Sequence, residues 1–231
     1  MIQNKKIAII PARGGSKRIP RKNIKFFYGR PIIEYSIIAA LETGLFDEVM
    51  VSTDDHEIAE VSIKAGAKVP FLRSVENSND LATTADVICE VLQSYKTINI
   101  NYKIGCCIYP TAPFLNSNFL KQGYEVFQNN NFDVVYPVTQ FGYPIQRSIR
   151  ILENSRGVMQ WPENNSKRSQ DLEPIYHDVG QYYWFNSEIL IQKKTLNTEN
   201  FGVIVIKELM AQDIDNEEDW KLAELKFGLL K

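Results

Sequence analysis

Thirteen residues, Pro11 to Asn23 (PARGGSKRIPRKN), carry five cations, two glycines and no acid, and follow directly on the apolar run KIAII. A loop containing Gly14 and Gly15 lets backbone N–H groups approach an anion, and a helix after it would add the positive end of its dipole. Arg13, Lys17, Arg18, Arg21 and Lys22 supply charge, the arginines as forks that match phosphate oxygens two at a time. A polyphosphate is the natural guest. The spacing is neither GxxxxGK[ST] nor GxGxxG. A surface turn bearing a few lysines is the plain alternative, and the position after an apolar run argues against it.

A second constellation lies near the other end, in Gln212-Asp-Ile-Asp-Asn216. Asp213 and Asp215 are two apart, so an extended chain sends both carboxylates to one side. That suits a hard divalent cation such as magnesium, which takes one or two carboxylates and fills its shell with water and phosphate oxygens. Asp215 or Asn216 could instead cap the helix that begins near Glu217, and the two roles are compatible. Asp54 and Asp55 stand just before EIAEVSIKAG and read as an N-cap with favourable first-turn charge rather than as ligands. His56 reads as surface. His177 sits in Tyr176 to Trp184, among polar and aromatic groups able to clasp a sugar, although YYWF is equally an ordinary buried strand; both readings stand. No Ser/His/Asp or Cys/His arrangement is evident, so positioning and charge neutralisation are favoured over a covalent nucleophile.

These residues need a frame. Short apolar runs (residues 6–10, 49–53, 68–72, 104–109 and 133–138) alternate with amphipathic segments such as PIIEYSIIAALETG and TADVICEVLQSY. That alternation predicts an α/β fold, a Rossmann-like, mostly parallel sheet with helices on both faces. Pro31 suits a helix start, and Gly44 and Gly66 suit helix ends. Ligands of such sheets bind beyond the carboxyl ends of the strands. PARGGSKRIPRKN, Ser52 to Asp55, Arg73 and Tyr109 to Pro113 all fall there. Residues 139–177 break the rhythm and read as an inserted β-rich excursion, a lid or a dimerisation arm. GQYYWF, GVIVI and EEDWKLAELKFGLL then resume it, so a single domain over 1–231 is expected.

Composition sets outer bounds. The chain has 231 residues, 44% hydrophobic and 23% charged, with a net charge of -2. Nothing global points to nucleic acid or an anionic membrane. The charge is locally polarised, with nine Lys or Arg and no acid up to Ile33, and seven acids against one lysine from Glu208 to Glu224. Two such segments could converge on one ligand. Cys89, Cys106 and Cys107 are an odd number, and the adjacent pair in a strand faces opposite ways, so reduced core thiols are expected. No signal core or membrane-length apolar run is visible, and the chain reads as cytoplasmic.

Taken together, IIPARGGSKRIPRKNIK, EVMVSTDD, AKVPFLRS, DLATTADV, CCIYPTAPF and HDVGQYYWF resemble the acylneuraminate cytidylyltransferase family, in matching order over nearly the whole chain. The resemblance implies transfer of a cytidylyl group from CTP to a nonulosonic acid, with release of pyrophosphate. By the same resemblance Arg13, Ser16, Lys17, Lys22 and Asn23 hold the triphosphate, with Arg13 and Lys22 catalytic. Arg73 and Thr83 or Thr84 face the cytidine, and Asp213 and Asp215 bind magnesium. Tyr109, Thr111, His177, Gln181, Tyr183 and, from the excursion, Arg168 meet the sugar. The excursion matches the family's dimerisation region, which implies a homodimer. Members that activate sialic acid commonly read QPTSPL and NGAIY where this chain has Tyr109-Pro-Thr-Ala-Pro-Phe114 and Val179-Gly-Gln-Tyr-Tyr183. The more apolar pair implies pseudaminic acid, which ends in a methyl group, with N-acetylneuraminic or legionaminic acid as the alternative sugar. A catalytically dead nucleotide-sugar binder is the alternative from another class.

Overall fold

The structure, a computed structural model, describes residues 5–230. Residues 1–4 and Lys231, the ends of the expected domain, lie outside the described residues. β1 (Lys6–Pro11) holds Ile7, Ala8, Ile9 and Ile10 with no exposure at all, as a strand covered on both faces requires. β4 (Glu48–Ser52) and β5 (Ile104–Ile108) flank it in parallel. β10 (Tyr182–Asn186) runs antiparallel between β5 and β6 (Val134–Gln140), and β11 (Phe201–Val205) closes the far edge parallel to β6. The order β11-β6-β10-β5-β1-β4 is joined by β9 (Tyr176–Asp178), paired antiparallel to β6.

Helices cover both faces. Ala8, Ile10, Cys106, Tyr182 and Trp184 point to one side, where they pack with residues of α1 (Ile32–Thr43), α2 (His56–Lys64) and α4 (Ser117–Asn130). Ile7, Ile9, Cys107, Tyr183 and Phe185 point to the other, against α3 (Thr84–Thr97) and α5 (Ser187–Lys193). Cys106 and Cys107 thus face opposite ways and both remain buried free thiols. Gly105 is required on β5 because a Cβ there would lie 2.1 Å from the Phe185 ring.

A third apolar cluster sits outside the two main ones. It joins Ile19 of the cationic loop and Phe27 to Ile214 and to Trp220 and Ala223 of α6 (Glu217–Gly228). Phe27 belongs to a tight hairpin of β2 (Phe26–Phe27) and β3 (Arg30–Pro31) that leads into α1.

The sequence expectations need three corrections. Residues 68–72 form no strand. Lys68 makes one isolated bridge to Met50, and Pro70, which has no N–H, interrupts any ladder after it. Gly66 ends α2 as expected: at φ of +99° it follows Ala65, its N–H donates to the Ile63 carbonyl at 3.0 Å, and the Ala67 N–H donates to the Ser62 carbonyl at 3.0 Å. α5 was not expected. The 139–177 excursion is only sparsely β: one hairpin, β7 (Ile149–Ile151) with β8 (Gly157–Met159), and the start of β9 lie among short 3-10 turns. Gly44 does end α1 in the left-handed region.

Asp55 caps α2, accepting from the Ile58 N–H at 3.0 Å, while Arg21 donates to both its oxygens at 2.5 and 2.9 Å. That pairing holds the Asp55 carboxyl down to about 2 against an ordinary 3.8. A folded-state value below the unfolded one means that the stabilisation is present above pH ~4 and is lost as pH falls towards 2. Asp55→Asn retains a cap acceptor but loses the charge. It should lower unfolding free energy by about 2 kcal/mol at pH 7. Urea unfolding at several pH values checks that this gap closes between pH ~4 and ~2.

Candidate active site

Beyond the carboxyl ends of β1, β4 and β5 opens a cleft of about 650 Å³, a size suited to a nucleotide. Arg13, Ser16, Lys17, Arg18, Lys22 and Asn23 contribute to its lining from the cationic loop. The segment between β4 and α3 adds Arg73, Asn79, Asp80, Thr83 and Thr84. Tyr109 and Thr111 come from the end of β5, and Asp213 and Asp215 from the approach to α6. The two oppositely charged ends of the chain therefore meet here.

The loop is held from below by hydrogen bonds that leave its charged tips in the cleft. Asn23 Nδ2 donates to the Arg13 carbonyl at 2.9 Å, and the Gly14 N–H donates to Asp54 Oδ1 at 2.9 Å. Gly14 is therefore needed for close approach, since a Cβ would fall 2.8 Å from Asp55 Oδ2, and its N–H is already committed rather than free for an anion. Neither Gly14 nor Gly15 lines the cleft. Arg21 turns away as well, into its pairs with Asp55 and Glu57. The cleft cations from the loop are thus Arg13, Lys17, Arg18 and Lys22.

Acids from distant segments compensate them. Asp80 pairs with Arg13 at 2.7 Å and Lys17 at 2.5 Å, and these contacts, Lys17 first, pull its carboxyl down. Asp215 pairs with Arg18 at 2.8 Å and more loosely with Lys22 at 3.9 Å. Lys22 Nζ donates to the Ile214 carbonyl at 2.7 Å. Burial pushes the Lys22 ammonium down, an effect that Asp215 and Asp213 oppose. Asp213 moves up, first through burial and then through repulsion from Asp215. A divalent cation fits this pair, because it relieves the repulsion between the two carboxylates. Among the described residues no cluster of three or more His, Cys, Asp or Glu could hold a metal by itself.

The remaining side of the site is aromatic. Tyr109 and Tyr183 approach with ring centroids 5.6 Å apart, and Tyr136 lies 5.5 Å from Tyr183. Tyr183 donates to Asp178 Oδ2 at 2.6 Å, and Thr84 Oγ1 lies 3.3 Å from the Tyr109 hydroxyl. Burial raises both tyrosine hydroxyls, so both stay protonated. Arg73 is 8% exposed and anchored on the Ser52 hydroxyl and carbonyl. Thr83 caps α3 in a reciprocal box with Asp86.

Four expected sugar residues stand apart from the cleft, Tyr183 because it lines only the smaller cavity beside it. His177 lines an adjoining cavity shared with Asp213 and Asp215, its Nδ1 2.8 Å from the Asp178 carbonyl and its ring against Phe141. Gln181 is buried and donates to the Met210 carbonyl at 2.6 Å, so its side chain braces the segment before Asp213. Arg168 is bound to Asp171 within the 139–177 excursion. Sequence reasoning missed Asp80 and Asp178. The first is one polar residue in an SVENSND run, and the second carries only the weak signal of an acid two before a turn glycine.

Fold and cleft together define a nucleotide-dependent transferase, and comparison with known proteins gives the family. The family model described as cytidylyltransferase matches residues 7–205, and the chain belongs to that family. A pseudaminic acid cytidylyltransferase from Campylobacter jejuni is 42% identical over 96% of this chain and 96% of its own. A CMP-N,N'-diacetyllegionaminic acid synthase from Legionella pneumophila is 31% identical over 94% of each. Among solved structures, a CMP:2-keto-3-deoxy-manno-octonic acid synthetase complexed with CTP superposes with a TM-score of 0.72 over 98% of this chain and all of its own. At 16% identity that likeness speaks for the fold alone. The chain is a nucleotidyltransferase, and among the described residues no helix is long and apolar enough to cross a membrane.

Asp80 occupies two cations that an incoming phosphate would need, and all three groups are substantially exposed. Asp80→Asn should therefore tighten CTP about two- to fivefold, the range that loss of two exposed ion pairs allows. Calorimetric titration at low salt checks it, and weaker CTP binding would show that Asp80 helps rather than competes.

Proposed function

We propose that this chain is a magnesium-dependent pseudaminic acid cytidylyltransferase, converting CTP and the free sugar acid into the CMP-sugar and pyrophosphate. The observation that carries the reading is the meeting of the Arg13 to Asn23 loop with Asp213 and Asp215 in one cleft. In the reaction the anomeric hydroxyl attacks the α-phosphate in line, the P–O bond to the β-phosphate breaks, and pyrophosphate leaves. Such transfers depend on positioning and on neutralising charge. Arg13, Ser16, Lys17, Lys22 and Asn23 hold the triphosphate, and Arg13 and Lys22 steady the charge that collects on the departing pyrophosphate. Arg73, Thr83 and Thr84 face the cytidine. Asp213 and Asp215 hold magnesium, which when bound neutralises phosphate oxygens.

The sugar enters beside Tyr109, Thr111 and Tyr183. Their aromatic surroundings favour an acid with a deoxygenated methyl end over one with a hydroxylated tail, whose polar groups would be left unpaired. Identity to the Campylobacter jejuni relative supports the same sugar. The 139–177 excursion exposes Tyr143, Ile149, Ile151 and Trp161, a pattern that supports its use as a dimerisation arm. Arg168, and with it His177, would then serve the sugar side of a homodimer's sites, and Gln181 would act by bracing them. The cytoplasm, where CTP is available, is the proposed place of action.

Pyrophosphate release from CTP and magnesium, assayed with pseudaminic, legionaminic and N-acetylneuraminic acids, tests the reading. Pseudaminic acid should exceed N-acetylneuraminic acid in kcat/KM by at least about tenfold, the scale of one unpaired polar group. Equal turnover of the two would overturn the sugar assignment, and binding of CTP without pyrophosphate release would reduce the chain to a binder. In the same assay Asp215→Ala should lower kcat by roughly 100-fold or more while melting stays cooperative; unchanged turnover would remove the metal role.

A further inference from the structure

Asp178 is exposed at the end of β9 and lines two cavities at once. One holds Asp213 and Asp215. The other, of about 260 Å³, opens beside the nucleotide cleft, with which it shares Thr83, Thr84 and Tyr109. Tyr183, Leu196 and Ala85 add apolar surface to it, and Lys194, Thr195 and Asn197 line it with polar groups. The carboxylate is fixed at both oxygens. Oδ2 accepts from the Tyr183 hydroxyl at 2.6 Å and Oδ1 from the Gly180 N–H at 2.8 Å.

Two protein donors leave acceptor capacity on each oxygen, because an ionised carboxylate offers about four lone-pair sites and donates nothing. A rigid, half-satisfied acceptor at the mouth of a tyrosine-lined cavity asks for a ligand group that carries a donor and an apolar end together. The carboxylate of a sugar acid is repelled by Asp178 itself, and Lys194, the cation that also lines this cavity, faces the charge of Asp86. A hydroxyl supplies the donor but no apolar end. An acylamino group supplies both, an N–H for Asp178 and a methyl for the faces of Tyr109 and Tyr183. The Tyr183 hydroxyl, committed as donor to Asp178, fixes the carboxylate's orientation, and Thr84 Oγ1 lies 3.3 Å from the Tyr109 hydroxyl beside it.

We propose that Asp178 is a specificity-determining residue of the sugar site, accepting the N–H of an acylamino substituent held in the cavity between Tyr109, Tyr183 and Leu196. This rests on the reading of the chain as a nonulosonate cytidylyltransferase and adds the group that selects among such acids.

The test measures pyrophosphate release with CTP and magnesium, for wild type and Asp178→Asn, using pseudaminic acid and an analogue in which each acylamino group is replaced by an O-acyl ester. The wild type should show a KM for the ester analogue at least about tenfold above that for the sugar, as expected for loss of a hydrogen bond to a charged acceptor. Asp178→Asn should raise the KM for pseudaminic acid by about tenfold, leave the KM for CTP within about twofold, and shrink the preference over the ester analogue by the same factor. A merely structural role for Asp178 would lower kcat for both sugars alike and keep the preference. A wild type that takes the ester analogue as readily as pseudaminic acid overturns the inference without any substitution. A wild type that turns over only N-acetylneuraminic acid overturns the sugar assignment instead, and the same comparison run on that acid and its ester still decides the role of Asp178.

Discussion

Everything at the active site depends on Ile19 and Ile214 being buried in the same apolar cluster. Both have no exposed surface, and they pack with Phe27, Phe114 and Trp220 beneath the cleft. Full burial of one such side chain is worth about 1.5 to 3 kcal/mol, and the tie is indifferent to salt. That matters because the groups it brings together are charged. Cations and carboxylates left to find one another through solvent would pair weakly and in many geometries. Ile19 lies between Arg18 and the turn to Lys22, and Ile214 lies between Asp213 and Asp215, so one dry contact sets both charged sets in register. The bond from Lys22 Nζ to the Ile214 carbonyl, spanning 192 residues, then fixes the ammonium at the end of the aspartate segment.

The loop's five cations divide by what holds them. Arg21, with its backbone in the left-handed region at φ of +56°, is turned onto Asp55 and Glu57 and locks the loop to the start of α2. Arg13, Lys17, Arg18 and Lys22 are paired with acids that also line the cleft. The pairs of Arg13, Lys17 and Arg18 are exposed and each worth only about 0 to 1 kcal/mol, so phosphate oxygens or a metal ion can displace them readily, whereas Lys22 is mostly buried. Compensation by Asp80 and Asp215 lets a strongly cationic loop fold around the cleft without strong self-repulsion. Structural and exchangeable ion pairs therefore sit within the same thirteen residues, separated by which way each side chain turns from the backbone.

Much of this was legible in the sequence because the physics was local. Alternation of short apolar runs and amphipathic segments pointed to the sheet and its covered faces, and the loop's charge pointed to the cleft that its cations line, although its glycines do not line it. The adjacent thiols fell on opposite faces as the strand's period of two requires. Tertiary contact set the features that escaped. Residues 68–72 look like a strand, but Pro70 denies them a ladder. Arg21 cannot be told from Arg18 by type, because only the fold decides that one meets Asp55 and the other Asp215. Gln181 is polar beside a sugar-like motif, yet packing turns its amide onto the Met210 carbonyl. Asp80 sits in a polar run with no periodicity, so nothing short of the folded chain shows it to be the partner of Arg13.

The reversed direction of β10 accounts for where the sugar side lies. A strand parallel to β5 would bring its carboxyl end to the cleft and carry its first residues to the opposite edge. Running antiparallel, β10 pairs Tyr182 with Ile108 at the end of β5, so its beginning opens onto the same edge as the ends of β1, β4 and β5. The turn at Gly180, with φ of +61°, is thereby delivered beside Tyr109 and Asp213, since a Cβ there would stand 3.8 and 3.9 Å from them. In the proposed function, nucleotide contacts would come from the segments after the parallel strands, and sugar contacts from the turn that leads into the reversed one. On the proposed reading the two substrates would be met by segments that need not change together, Asp178 and the tyrosines facing the acceptor and the loop and the aspartate pair facing the nucleotide.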